Sequence, residues 1–253
     1  MIIDAPQNTD IPELCALWKD TFGDTDAFLE NFFSTAFSPK RSLCARKEGN
    51  IVGMLYWFDC IYEGKQIAYL YAVATHKAYR GRGICHALME KVHLILKQSG
   101  YAGVILVPAE AHLFAFYERM GYTVCAHNST LHSTAAGESL EMRSLSAAEY
   151  AELRRLFLPK QSVLQERENL PFLEKLADFW IGDGFMLAAR KDEESLSGLE
   201  LLGDVALAPR ITRTLGFKTA EFRIVGQNAP FAMFHPLENF SLPLPAYFAF
   251  AFD

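Results

Sequence analysis

Residues Val73 to Leu88 read VATHKAYRGRGICHAL, and this stretch constrains the fold more than any other. An extended apolar run meets a basic, glycine-bearing turn, and the turn opens directly into a helix. Such a turn lines up successive backbone N–H groups beside the partial positive charge of a helix N-terminus, which makes an anion cradle. Gly81 and Gly83 let the backbone approach a phosphate with no Cβ in the way. Lys77, Arg80 and Arg82 gather positive charge in a chain whose formal net charge is -6. A dinucleotide fingerprint would need a third glycine where His86 stands, and a Walker A loop would need Gly-Lys followed by Ser or Thr, which the chain lacks. Taken alone, an Arg-Gly-x-Gly turn is also compatible with an ordinary strand-to-helix connection and a solvated basic rim.

The elements around this turn follow from periodicity. A short strand, Ile2 to Ala5, precedes a helix with Thr9 or Asp10 as N-cap, Pro12 in the first turn and Gly23 as the stop. A second helix is predicted from Asp26 to Ala36. Three strand-like runs, 42–46, 51–62 and 66–75, are separated by KEGN and YEGK, both good hairpin turns, so they predict an antiparallel meander. The period turns helical from Gly83 to Gln98. YAGVILV suits a buried strand, AEAHLFAFYERM a second helix closed by Gly121, and YTVCAH another strand. This order is mixed α/β without regular alternation, which argues against a doubly wound nucleotide fold.

Composition narrows the function classes. About half of the 253 residues are apolar (51%), so a sizeable core is expected. An acidic chain is a poor holder of long nucleic acid, whose phosphates need clustered Lys and Arg. No apolar run approaches the ~18 residues of a membrane helix, so no membrane partner is expected. MIIDAPQNTD has no basic segment followed by an apolar one, so no secretory signal is expected either. The five cysteines are far apart with no C-x-x-C pair, and no H-x-x-x-H pair occurs, so neither a disulfide framework nor a metal is expected. Reduced thiols in a cytoplasmic protein are the reading that follows.

Arg80, Gly83 and their spacing resemble the R-x-x-G-x-G/A acyl-CoA loop of the GNAT superfamily of N-acyltransferases. Upstream, two helices and a three-strand meander stand in that family's order. Downstream, LFAFYERMGYTV is similar to its second signature, in which a helix carries a tyrosine four residues before a Gly-aromatic pair: Tyr117, Gly121 and Tyr122. The resemblance covers roughly Met1 to His132. The chain departs from the pattern at Cys85, which takes the final Gly/Ala position of the loop. It departs again near Pro108-Ala109-Glu110, where the next helix often begins with Asn. It also departs at Tyr69, where some members carry a glutamate base.

The resemblance implies an N-acetyltransferase that takes acetyl-CoA as donor and an amine, small molecule or peptide, as acceptor, with direct attack in a ternary complex. It implies that the Val73 N–H hydrogen-bonds the thioester carbonyl and that Thr75 pairs with the pantetheine arm. The amides of Gly81, Arg82, Gly83, Ile84, Cys85 and His86 would hold the pyrophosphate beside Arg80, and Tyr117 would protonate the leaving thiolate. By spacing alone Tyr117 is readable as a core aromatic beside Phe114 and Phe116. Candidates for the base are Glu110, His76, His112 and Asp59, or a water chain ending on one of them. Cys85 is readable as a small loop residue or as a thiol activated beside Arg80 and Arg82.

The expected fold class is therefore α/β (α+β): a GNAT-like mixed, mostly antiparallel sheet flanked by helices over residues 1–135, joined through the polar stretch 133–139 to a second, smaller α+β domain over 140–253. That second domain has no cofactor loop. Helices are predicted at 147–157 and 171–179, and strands at 185–189 and 198–202. TRTLGFKTAEFRI ends a helix in Leu-Gly-Phe and runs into a strand, much as the first half does at YERMGYTVCAH, with APFAMFHPL as the partner strand. A shortened GNAT-like half that walls the acceptor cleft is one reading, and a plain α+β appendage the other. In the tail AYFAFAFD, Phe248, Phe250 and Phe252 alternate with alanines, the period of a half-buried strand. Two functional classes stay open: a working acetyltransferase, and an idle acyl-CoA-binding or regulatory protein.

Overall fold

The computed structural model describes residues 1–166, 169–237 and 240–249. The chain divides into two compact units, Met1–Thr123 with Met233–Leu242, and Val124–Ala232 with Pro243–Asp253. The division falls at Thr123/Val124, upstream of the 133–139 stretch, which gives Ser133 and Thr134 to a strand.

The first half of the sequence forms β1 (Ile2–Asp4), α1 (Ile11–Phe22), α2 (Asp26–Thr35), β2 (Ser42–Lys47), β3 (Asn50–Tyr62), β4 (Lys65–Thr75), α3 (Ile84–Gln98), β5 (Gly103–Leu106) and α4 (Ala111–Glu118). The two hairpins close as their sequences predict. Glu48-Gly49 and Glu63-Gly64 both take positive φ, the type I′ geometry whose twist matches antiparallel strands. The sheet order is β1-β2-β3-β4-β5. β4 and β5 are parallel, Ile67 opposite Gly103, because α3 carries the chain back across the sheet. The apolar face of α3 is Ile84, Leu88, Val92 and Leu96, all buried. It lies so close to β3 that a Cβ at Gly53 would come within 3.0 Å of Ile84 and Leu88. Trp18, at the centre of an aromatic cluster with Phe32, Tyr56 and Tyr71, seats α1 and α2 on the meander. Asp10 does not cap α1 with its side chain; it accepts from the Gln7 amide and pairs with Arg46.

The remainder forms β6 (Thr123–Thr134), β7 (Met142–Leu145), α5 (Ala147–Arg154), β8 (Leu164–Gln165), α6 (Asn169–Leu176), β9 (Asp178–Gly182), β10 (Phe185–Lys191), β11 (Leu196–Gly203), α7 (Ala208–Thr214), β12 (Thr219–Val225) and β13 (Ala229–Pro236). The helix expected over 171–179 stops at Leu176. Phe179 and Trp180 lie instead in β9, since a short apolar run does not separate helix from strand by period alone. The order β7, α5, α6, β9-β10-β11, α7, β12 repeats β1, α1, α2, β2-β3-β4, α3, β5, and the strand neighbours repeat with it: β7 beside β9, and β11 parallel to β12. The second set is the shorter one, passing from β12 to β13 with no helix to match α4.

Each set is completed by a strand from the other. β6 pairs antiparallel with β12, Thr134 opposite Thr219 and Asn128 opposite Val225. The end of β13 pairs antiparallel with β5, Met233 opposite Leu106 and Pro236 opposite Gly103. The expectation that APFAMFHPL would partner TAEFRI is thus corrected: β12 has β6 and β11 as its neighbours. In the tail, Tyr247, Phe248 and Ala249 are buried and Tyr247 bridges to Ser162, while Phe250, Ala251 and Phe252 lie outside the described residues.

The second unit buries a charge pair. Arg154 donates to both oxygens of Glu200 at 2.5 and 2.7 Å, with the pair 3% and 0% exposed, and the Tyr150 and Tyr247 hydroxyls donate to the same carboxylate. All the lone pairs facing inward are thereby used, which is the condition under which a buried ion pair is tolerated. Replacing Arg154 by Met leaves Glu200 uncompensated and is expected to cost about 3–5 kcal/mol in chemical denaturation. Replacing both, Arg154→Met with Glu200→Leu, is expected to cost much less, because no lone charge remains.

Candidate active site

The site grows from an irregularity in β4. Its register with β3 runs Met54 to Ala74 and resumes at Tyr56 to Tyr71, so Ala72 and Val73 together oppose Leu55. Ala72 sits at φ 48°, left-handed backbone that costs a residue with a Cβ roughly 1–2 kcal/mol and marks a stretch held by its surroundings. On the other side, pairing with β5 stops at Tyr69/Ile105 while β4 runs on to Thr75. The two parallel strands therefore part beyond Tyr69, before β4 reaches Val73. Val73 and Thr75 are half-buried on the freed segment, and the Thr75 hydroxyl oxygen is buried without a hydrogen-bond partner.

The turn that follows is built by its own polar groups. His76 accepts the Ala78 amide on its ring at 3.2 Å, and Arg80 donates its Nε–H to the Thr75 carbonyl at 3.0 Å, tying the loop to the end of β4. Gly81 and Gly83 lie at φ 73° and 76°, and open space faces both. Their requirement is therefore the left-handed backbone itself. The first helical bond of α3 is Ala87 N–H to Gly83 carbonyl, so the amides of Ile84, Cys85 and His86 precede any acceptor on their own helix. Around this rim Lys77 pairs with Asp20 at 2.9 Å and His86 with Glu90 at 3.3 Å. Lys47 and Arg82 both lie over the Tyr79 ring, 5.6 and 5.3 Å from its centroid. Lys47 comes from the β2 hairpin, and no local signal tied it to the loop.

Tyr117 stands in the last turn of α4, 7% exposed, with Phe116 and Tyr122 against it at 5.2 and 5.7 Å between ring centroids. Burial raises the phenol well above its ordinary range, and the nearby Cys85 thiol adds to the effect. The α4 tyrosine and the Cys85 thiol thus lie within electrostatic reach of each other. Cys85 itself is pushed up to about 11 by burial, which favours the reading of it as a small loop residue over that of an activated thiol. The candidate bases scatter. Glu110 pairs with His112 on the exposed start of α4, and Asp59 accepts the Tyr101 hydroxyl at 2.5 Å. His76 is engaged in the loop. Tyr69, at the position matching a glutamate in some GNAT members, is buried and stacked on Phe58. Among the described residues no three His, Cys, Asp or Glu side chains gather as a metal site, and no helix is long and apolar enough to cross a membrane.

The acetyltransferase (GNAT) domain family matches residues 3–125. No curated protein matches the chain by sequence. Among solved structures, a GCN5-related N-acetyltransferase from Kribbella flavida aligns with a TM-score of 0.69 at 14% identity, over 93% of this chain and 72% of its own. A conserved protein of unknown function from Enterococcus faecalis, described as a probable N-acyltransferase, aligns with a TM-score of 0.68 at 15% identity, over 94% and 72%. A putative acetyltransferase from Pyrococcus horikoshii aligns at 0.64 and 14%, over 93% and 89%. At such identities the likeness is one of fold, and it extends across both halves of the chain.

The raised Cys85 thiol sets a chemical expectation. At pH 7.5 its thiolate fraction lies about 100-fold below that of an ordinary cysteine thiol near 8.5–9. Peptide-level mass spectrometry should find maleimide labelling of Cys85 slow, and accelerating as pH is raised toward 11.

Proposed function

We propose that the protein is an N-acetyltransferase that moves an acetyl group from acetyl-CoA to an amine acceptor by direct attack in a ternary complex. One observation carries this reading: β4 bulges at Ala72–Val73 and leaves β5, then feeds a doubly left-handed glycine turn that opens α3, beside a buried tyrosine on α4. Val73 N–H and the unpartnered Thr75 hydroxyl offer polar groups on a freed strand edge, suited to an extended pantetheine-like amide chain. The Gly81 to His86 amides, with Arg82 and Lys47 nearby, suit a diphosphate.

In this scheme the amine nitrogen attacks the thioester carbon. The Val73 amide takes up negative charge developing on the carbonyl oxygen. Tyr117, held protonated by burial, gives its proton to the departing sulfur. The amine proton leaves through water, to a base that no single side chain yet claims. A cytoplasmic location agrees with the cysteines, none of which is in a disulfide. Among the acceptors, cationic amines are favoured by the acidic balance of the chain.

Calorimetry with CoA should show one site per chain, weakened by Gly83→Glu. Tyr117→Phe keeps the ring and removes the hydroxyl. Turnover, followed as CoA-thiol release with a panel of amines, should fall ~10²–10⁴-fold with CoA affinity little changed. Full activity in the variant would leave Tyr117 as packing only, and absence of CoA binding at millimolar concentration would remove the transferase reading.

A further inference from the structure

His93 and His235 are absent from the site described above, yet they meet behind it. His93 projects from α3, the helix that the glycine turn opens. Its Nε2 lies 2.7 Å from the Tyr122 hydroxyl, a hydrogen bond from the cofactor-loop helix to the segment that follows α4. His235 comes from β13, the strand that the second half of the sequence supplies to this unit. It stacks flat on His93, 4.5 Å between centroids and 8° between planes. It also reaches the Gly121 carbonyl with Nδ1 at 3.0 Å; a carbonyl only accepts, so Nδ1 carries the hydrogen. A Cβ at Gly121 would stand 3.1 Å from that ring, so the glycine leaves room for the turn after α4 to lie against it. Tyr122 in turn packs edge-on against Tyr117, and its amide donates to the Tyr117 carbonyl at 3.2 Å.

The chain of contacts thus runs from α3 through His93 to Tyr122, and from β13 through His235 to Gly121, closing on the backbone and ring of Tyr117. Two stacked imidazoles tolerate this contact when neutral. Burial supplies that condition for His93, whose pKa is lowered to about 4, with His235 adding to the effect. Tyr122 is buried and keeps its hydroxyl proton. The arrangement thus joins the helix that would hold the donor to the residue that would protonate its sulfur, with a neutral His93 between them.

We propose that His93 and His235 are positioning residues for acyl transfer: together they fix the turn Met120–Tyr122 against α3 and so hold the Tyr117 hydroxyl in line with the donor. The proposal rests on the transferase reading above, with Tyr117 as acid. It assigns the second half of the sequence a direct part in the site through one side chain.

A double-mutant cycle tests it. His93→Phe keeps an aromatic ring for the stack and removes the nitrogen that hydrogen-bonds the Tyr122 hydroxyl. His235→Phe keeps the stack and removes the bond to Gly121. Misplacing a reacting group by a fraction of an ångström to 1 Å costs up to ~10²-fold, so each variant should lower kcat by roughly 10–100-fold. KM for acetyl-CoA and the calorimetric Kd of CoA should stay unchanged. In the Tyr117→Phe background neither change should slow the enzyme further, because both act through that hydroxyl. His93→Gln, which can still hydrogen-bond the Tyr122 hydroxyl, should recover part of the lost turnover. Equal fold-losses in the two backgrounds, or a parallel loss of CoA binding, would overturn the proposal by showing a general packing role. If His93→Phe fails to fold, His235→Phe alone decides by the same readout. A wild type that binds CoA yet releases no thiol with any amine overturns the transferase reading and this proposal with it, a result distinct from additive variants of an active enzyme.

Discussion

The parting of β4 from β5 is the constraint on which the rest of the site depends. Two parallel strands joined by a crossover helix must stay paired somewhere, and here they do so only up to Tyr69 and Ile105. Beyond that point β4 is turned by the extra residue at Ala72–Val73, held in a backbone region that alanine avoids. α3 cannot follow the strand away, because Gly53 lets its Ile84 and Leu88 press onto β3. The gap is thus the product of tight packing on one face of the sheet and an irregular strand on the other, and the backbone amides it exposes are fixed before any ligand arrives.

Burial then sets the chemistry of the groups in and around this gap. The same loss of hydration raises the Tyr117 phenol and the Cys85 thiol and lowers the His93 imidazole, so all three are neutral near pH 7. The positive charge of the loop is left at its rim, on Arg82 and Lys47, where it meets solvent. A neutral interior beside a cationic mouth separates the two tasks of a group-transfer site: holding an anionic handle outside, and moving a proton inside without a competing charge.

The second unit uses the same scaffold differently. Its third meander strand, β11, also breaks register, with Ala188 opposite Glu200 and Ala189 opposite Gly198. Yet the carboxylate there is consumed by Arg154 and two tyrosines, and β11 leads through a short 3-10 turn into a helix begun by Ala208-Pro209. A parallel crossover does not by itself make a cofactor site. Left-handed glycines at the turn and an open strand edge are what the first unit adds.

Local chemistry explains why much of this was legible in the sequence. Glu-Gly pairs dictated the hairpins, the 3.6 period of Ile84, Leu88 and Val92 dictated α3, and Arg80 to Gly83 dictated a turn only glycine makes easily. These features are decided by backbone preferences within a few residues. The partners of β12 and β5 were not legible, because strand choice depends on which edge lies free after the whole chain has collapsed, and in the folded chain β6, not the adjacent β13, pairs with β12. The joint of His93, Tyr122 and His235 was hidden for the same reason: each histidine alone reads as a surface or core residue, and only the delivery of β13 to β5 brings them face to face. The protonation of Cys85 likewise belonged to tertiary structure. Sequence shows the arginines beside it, whereas the desolvation that raises the thiol arises only when the core closes.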